Sequence, residues 1–315
     1  MRPLPQLDFS AVRTTELEAR HSKVRAEDFA KPLKKGASVA DFMAGLPNIL
    51  AGAELREAAG RVAAAVRRGR PVILGMGGHV VKVGLGPLII DLMERGVISG
   101  LAANGSVMVH DAEAALVGAT SEDVAATLGD GQFGVTGRTG EIINRAAKLA
   151  AVKGEGLGFS LGRDLSSLSP PYLSSSVFAA AFRLDLPMTV HAAIGTDVYN
   201  IHPEADGASL GAATMGDFRL FCRAVADLQD GVFINLGSAV ILPEVFLKAL
   251  TLVRNLGHQV DRLTTVNMDF IRHYRPQVNV VARPTQGDGA RGFYFVGHHE
   301  IMFPLLMSLV LEQLD

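Results

Sequence analysis

The segment HAAIGTDVYNIHPEADGASLG, residues 191 to 211, places His191, Asp197 and His202 within twelve residues. Near the C-terminus VGHHE sets His298, His299 and Glu300 side by side. Imidazole and carboxylate together act as general base and acid, and they also bind divalent metals such as zinc or iron. The spacing is not the helical HxxxH that puts two imidazoles on one face. Gly195 and Pro203 predict a loop, so convergence depends on the fold. We read His191, Asp197, His202, His299 and Glu300 as candidate catalytic residues, with His191, Asp197 and His202 as metal ligands in an alternative reading. Each histidine alone also suits a hydrogen-bonded loop or core position. Glu204 and Asp206, beside Pro203 and Gly207, read as turn and capping residues.

The elements that would position these residues alternate in period. Short apolar runs at 71–78, 97–103, 186–190, 231–237 and 261–267 read as strands, and VNVVA (278–282) is a further apolar run. Between them, helical patterns cover 54–68, VGLGPLIIDLMERG, HDAEAALVGA, 140–154, 217–228, 243–256 and about 299–314, with LSSLSPPYLSSS (165–176) as a Ser/Pro linker. The expected fold is α/β, a Rossmann-like parallel sheet with helices on both faces. Residues 1 to 38 read as a polar arm wrapping the body or a neighbouring subunit, and 39 to 315 as one domain. Such sheets bind ligands beyond the C-terminal ends of their strands. Six of the nine histidines fall in strand-end segments: His79, His110, His191, His202, His298 and His299. Glycine-rich ends such as GMGG and NLGSA let backbone N–H groups approach a phosphate, and they equally make tight strand-to-helix turns. The GxGxxG fingerprint is not met after the first strand, where the chain reads GMGGHVVKVG. Lys82, after GGH, could contact an anion.

With 315 residues, 48% hydrophobic and 20% charged, the chain can bury a substantial core. A net charge of −2 gives no reason to expect a nucleic-acid or anionic-membrane partner. The single cysteine, Cys222, excludes an intramolecular disulfide and a thiolate metal cluster and fits a reducing cytoplasm. No secretory signal or membrane span is expected. GxxxxGK[ST], HExxH and CxxC are all absent.

The strand ends resemble the deoxyhypusine synthase family across about residues 70 to 314. LGMGGHVVKVGLGPLIIDLMERGVISGLAANGSVMVHD is similar to the family's first strand, helix and second strand. DGASLG (206–211) is similar to its DGSLGD motif, INLGSAVILPEVFLKALTLVRN to its glycine-rich strand and helix, and IMFPLLMSLVLEQL to its FPLL helix. The resemblance implies NAD as cofactor, with contacts at Gly77, Gly78, His79, Asn104, Gly105, Ser106, Asp111, Gly237, Ser238, Asn267 and His298. It implies a substrate side at Asp206 and beyond Gly237, with Glu244 nearest the position of a family histidine. It also implies a homo-oligomer, dimer or tetramer, with sites at subunit interfaces. The family transfers an aminobutyl group through an imine on a lysine shortly before the FPLL helix. This chain has no lysine between Leu256 and Asp315, and no tryptophan anywhere.

Three functional readings follow. The first is an NAD-binding enzyme acting on a small amine or polyol without the lysine-imine transfer. The second is a metal-dependent hydrolase or lyase using the His/Asp/Glu residues with a divalent metal such as zinc. The third is a non-catalytic dinucleotide or metabolite sensor.

Overall fold

The structure, a computed structural model, describes residues 4–314; the first three residues of the expected arm and Asp315 lie outside it. Six strands form one sheet: β1 (Val72–Met76), β2 (Gly100–Asn104), β3 (Met188–His191), β4 (Val232–Leu236), β5 (Thr264–Asp269) and β6 (Arg291–Val296). Every neighbouring pair is parallel, in the order β3-β2-β1-β4-β5-β6. Parallel strands require long crossovers, and helices supply them.

The sheet is covered on both faces. Ile73 of β1 and Phe233 of β4 pack with Phe221 of the Gly207–Ala226 helix and Phe246 of the Ile241–Asn255 helix. The rings of Phe233 and Phe246 stack at 4.0 Å. The following residues, Leu74 and Ile234, point to the opposite face and are equally buried. Each such side chain contributes about 2–3 kcal/mol through burial.

The helices start where the sequence supplies caps. Asp206 accepts from Ala208 N at 3.3 Å and Ser209 N at 3.0 Å, opening the helix Gly207–Ala226. Gly211 lies inside that helix, and a Cβ there would meet nothing within 4 Å. Gly211→Ala is therefore expected to stabilise the chain by about 0.5–1 kcal/mol, read as a higher urea midpoint.

Two segments differ from the sequence expectation. VNVVA is helical: a π-type turn covers Gln277–Ala282 directly after Pro276. A short apolar run carries no period long enough to separate helix from strand. The first part of LSSLSPPYLSSS is also helical, because the helix Leu157–Leu168 runs to its end at Ser169, whose φ is 45°.

Contacts along the chain divide it into two compact units at Ala53–Glu54. The first unit carries 3-10 turns at Leu17–Ala19 and Ala26–Asp28 and a short helix, Val39–Gly45, with a Ser38–Asp41 capping box. Its Leu4, Leu7, Phe9 and Phe29 side chains are exposed. All six strands belong to the second unit. Among the described residues, no helix is long and apolar enough to cross a membrane.

Candidate functional site

The strand order reverses between β1 and β4. From β1 the chain moves outward through β2 to β3; from β4 it moves the other way through β5 to β6. The connections therefore part beyond the C-terminal ends of β1 and β4, leaving a crevice there. Gly77 N donates to Leu236 O at 3.0 Å, and Gly237 N to Met268 O at 3.0 Å. The two glycine turns touch: a Cβ on Gly77 would lie 2.1 Å from the Gly237 carbonyl oxygen. Gly237 has φ +65°, and the His299 ring lies against it. Only glycine serves at both positions.

The crevice wall on the β5–β6 side is aromatic. Phe270 stacks on His299 at 4.3 Å and meets His79 edge-on at 4.7 Å and His298 at 5.6 Å. His79 and His299 lie 5.4 Å apart. His299 is buried; its Nε2 is 3.7 Å from Asp269 Oδ1, and neither ring nitrogen makes a hydrogen bond. Burial lowers its pKa, partly offset by the Asp269 charge, so the ring is neutral near pH 7. His79 is lowered for the same first reason, with Lys82 adding to it. His298 is exposed, with Nδ1 3.8 Å from Glu300 Oε1. This wall joins three strand ends: His79 after β1, Phe270 after β5, and His298 and His299 after β6.

On the other side, Asn104 closes β2 and its Oδ1 accepts from Ser106 Oγ at 2.9 Å. A Cβ on Gly78 would lie 2.4 Å from Ser106 Oγ, so the β1 and β2 turns are in contact. A Cβ on Gly105 would lie 2.2 Å from Asp197 Oδ2 and 2.4 Å from the Tyr199 hydroxyl. Asp197 is half-buried, its carboxyl raised by burial and restrained by hydrogen bonds from Thr196 and Tyr199. Ser106, Asp197 and Tyr199 line a cavity of about 240 Å³.

The remaining candidates are placed elsewhere. His191 ends β3, buried, with Nε2 3.1 Å from Thr189 Oγ1 and its ring 5.2 Å from Phe221; burial pushes its pKa down to about 4. It lines a different hollow, shared with Glu244. His202 packs on Gly140, and its Nδ1 accepts from Glu204 N at 3.1 Å, which makes it a loop brace. His191, Asp197 and His202 thus do not converge. Among the described residues no group of three or more His, Cys, Asp or Glu is placed to hold a metal ion. The chain segment bends between these residues, so closeness in sequence did not bring the side chains together.

Asp111 is another correction. Its wholly buried carboxylate accepts from Ser176 Oγ at 2.5 Å and Val177 N at 2.7 Å, holding the start of the helix Val177–Arg183 rather than facing a ligand. Burial raises its pKa to about 6 despite those bonds. Asp206 is exposed and engaged as a helix cap. Glu244 pairs with Lys248 and Arg275 and accepts from Asn279 Nδ2 at 2.9 Å, so its charge is spent locally. Ser238 and Asn267 are buried: Asn235 Nδ2 donates to Asn267 Oδ1 at 2.6 Å and Ser238 O at 2.9 Å, while Ser238 Oγ accepts from Leu242 N. They brace the β4 turn from beneath. Sequence reasoning missed Phe270, whose only signal is its place directly after β5.

No protein-family model matches the chain, and no curated protein matches it in sequence. Solved structures do match in fold. A conserved protein described as LOR/SDH, from Methanococcus maripaludis S2, aligns with a TM-score of 0.52 and 17% identity, over 98% of this chain and 75% of that one. AgrE, in a ternary complex with ornithine and NAD+, aligns at 0.50 and 16%, over 84% of this chain and 33% of its own. The chain therefore spans about a third of the length of AgrE. A protein described as a deoxyhypusine synthase, from Entamoeba histolytica, aligns at 0.47 and 11%, over 88% and 94% of the two chains. What this chain shares with the first two is the fold, an α/β architecture around a parallel sheet.

Proposed function

We propose that the chain is an NAD-binding enzyme acting on a small amine or polyol, without lysine-imine transfer. The observation that carries this reading is the crevice between β1 and β4, where Gly77 and Gly237 approach so closely that any side chain would fill the space. Turns that carry no side chains beyond the two central strands leave a pyrophosphate unobstructed, and the end of β2 is where such sheets meet a ribose. Here Asn104 stands at that end, so the sugar would meet an amide rather than a carboxylate. The neutral imidazoles of His79 and His299 and the Phe270 ring form a wall against which a flat ring would stack and from which water is displaced. NAD, when bound, supplies hydride acceptance; the chain's residues supply orientation and proton exchange. The ligands in the AgrE complex are consistent with this choice. Assembly into a homo-oligomer belongs to the same reading, supported by the exposed Leu4, Leu7, Phe9 and Phe29 of the first unit.

Isothermal titration with NAD+ and NADH tests it. Submillimolar binding is expected, with thermal stabilisation that grows with ligand concentration. No heat and no stabilisation up to millimolar dinucleotide would remove the reading. Binding with no turnover of any amine or polyol would leave a sensor in place of an enzyme.

A further inference from the structure

We propose that the cavity beside the helix Gly105–Val117 binds a small alcohol or amine, with His110 Nε2 as the base that takes the ligand's O–H or N–H proton and Thr120 and Glu113 as the residues that position the imidazole. The ligand class rests on the proposed function above; the state of His110 does not.

The protons settle the tautomer. Thr120 Oγ1 lies 2.6 Å from Glu113 Oε2 and 2.8 Å from His110 Nδ1. A hydroxyl has one proton, and a carboxylate only accepts, so Thr120 donates to Glu113. Its oxygen must then accept from His110, which places the imidazole proton on Nδ1. Glu113 is held in turn by Thr139 Oγ1, 3.5 Å from its other oxygen. In the neutral ring this leaves Nε2 as an unshared lone pair, and Nε2 has no hydrogen-bond partner among the described residues.

The ring is kept neutral by its surroundings. Burial lowers the His110 pKa first, and the charge of Lys82 lowers it further. Glu113 on the same helix, Glu122 on the following segment and Asp197 on the loop after β3 also line the cavity or its wall. Lys82 forms no ion pair among the described residues.

Direction completes the case. The Cδ2 edge of His110, next to Nε2, faces the β1 turn: a Cβ on Gly78 would lie 3.2 Å from it. The free nitrogen is therefore on the side of the ring away from Thr120, and His110 itself lines the cavity. The cavity volume of about 240 Å³ corresponds to roughly eight waters, which suits a ligand of few heavy atoms. A hydroxyl there would hydrogen-bond to Nε2 and pass its proton as negative charge develops on its oxygen. An ammonium would pass its proton to Nε2 and be left as a neutral amine, the oxygen or nitrogen keeping the bonding pair in each case. The resulting imidazolium would keep its Nδ1–H on Thr120, backed by the Glu113 charge.

Long-range 1H–15N spectra of the 15N-labelled full chain test this directly. His110 is expected as the Nδ1–H tautomer, titrating below an ordinary histidine. Thr120→Val is expected to abolish the tautomer preference, while Thr120→Ser retains it; the serine variant stands in if the valine variant does not fold. Titration with glycerol and with 1,4-diaminobutane is expected to shift the Nε2 resonance saturably for at least one probe, about tenfold more weakly in Thr120→Val. An Nε2–H tautomer in the unmodified chain overturns the proposal, as does an Nε2 resonance that neither probe moves. A chain that binds no NAD yet shows both signatures overturns the proposed function and leaves this site standing.

Discussion

Gly77→Ala is expected to lower stability by about 3 kcal/mol and to abolish dinucleotide binding. The new Cβ would lie 2.1 Å from the Gly237 carbonyl oxygen and 2.9 Å from its carbon. Both are backbone atoms, so no flexible side chain can move aside. The two turns are fixed by the bonds Gly77 N to Leu236 O and Gly237 N to Met268 O, so alanine must separate the central strand ends or break those bonds. Gly137→Ala is the control, because a Cβ there meets nothing within 4 Å. Urea denaturation of the three proteins makes the comparison. An unchanged midpoint for Gly77→Ala, with dinucleotide binding intact, would show that the turns do not touch in solution.

Asp217→Ala is expected to cost about 4 kcal/mol. Asp217 Oδ2 accepts from Gly158 N at 3.0 Å and Val190 N at 2.8 Å, tying the helix Leu157–Leu168 and β3 to the helix Gly207–Ala226. Truncation leaves two buried N–H groups without partners, at about 1–3 kcal/mol each. The carboxyl also imposes a pH dependence. Burial raises its pKa from 3.8 to about 7, against the hydrogen bonds that lower it. The folded chain therefore holds this proton where the unfolded chain releases it. The resulting stability is fully present below about pH 4 and is lost as pH rises through about 7. Asp217→Asn removes that dependence, so its stability relative to the unmodified chain should rise by about 4 kcal/mol between pH 4 and 8. Asp111, at about 6, acts in the same direction. His191, lowered to about 4, acts oppositely: the unfolded chain binds more protons between about 4 and 6.5, so its contribution rises with pH. Taking the difference between the unmodified chain and Asp217→Asn cancels both. Parallel stability curves for the two proteins would refute the assignment.

Five of the six strands were legible because they are short, apolar and buried on both faces, with helical periods between them; β6 was not, since its Arg291 and Val296 ends are exposed. The helix Leu157–Leu168 was not, since its last four residues open the Ser/Pro segment 165–176 that reads as a linker. Its glycines serve contact instead: Cβ atoms on Gly158 and Gly162 would lie 2.0 Å from Met188 O and 2.4 Å from Phe178 O. That need exists only in the packed structure. The glycine turns at Gly77 and Gly237 and the Asp206 cap were readable for the converse reason, as local geometry dictates them. The histidines divide the same way. Strand-end placement located His79 and His299, whose rings do meet. His191 and His202 are also near strand ends, but their side chains turn toward Thr189 and Gly140, and no spacing rule encodes that. His110 depends on Thr120 ten residues later, across a helix end, where no period links the two.

The central pairing of β1 with β4 joins Val72 to Val232 and Met76 to Leu236. On a chain emerging from the ribosome, β1, β2 and β3 appear first, and β1 keeps one bare edge until β4 arrives. That edge is wholly apolar in its side chains, and an exposed edge of this kind recruits other chains. Pairing across so long an intervening segment is also slow. The crevice exists only once this edge is closed, so a ligand that occupies the crevice lowers the equilibrium population of chains with the edge open to aggregation.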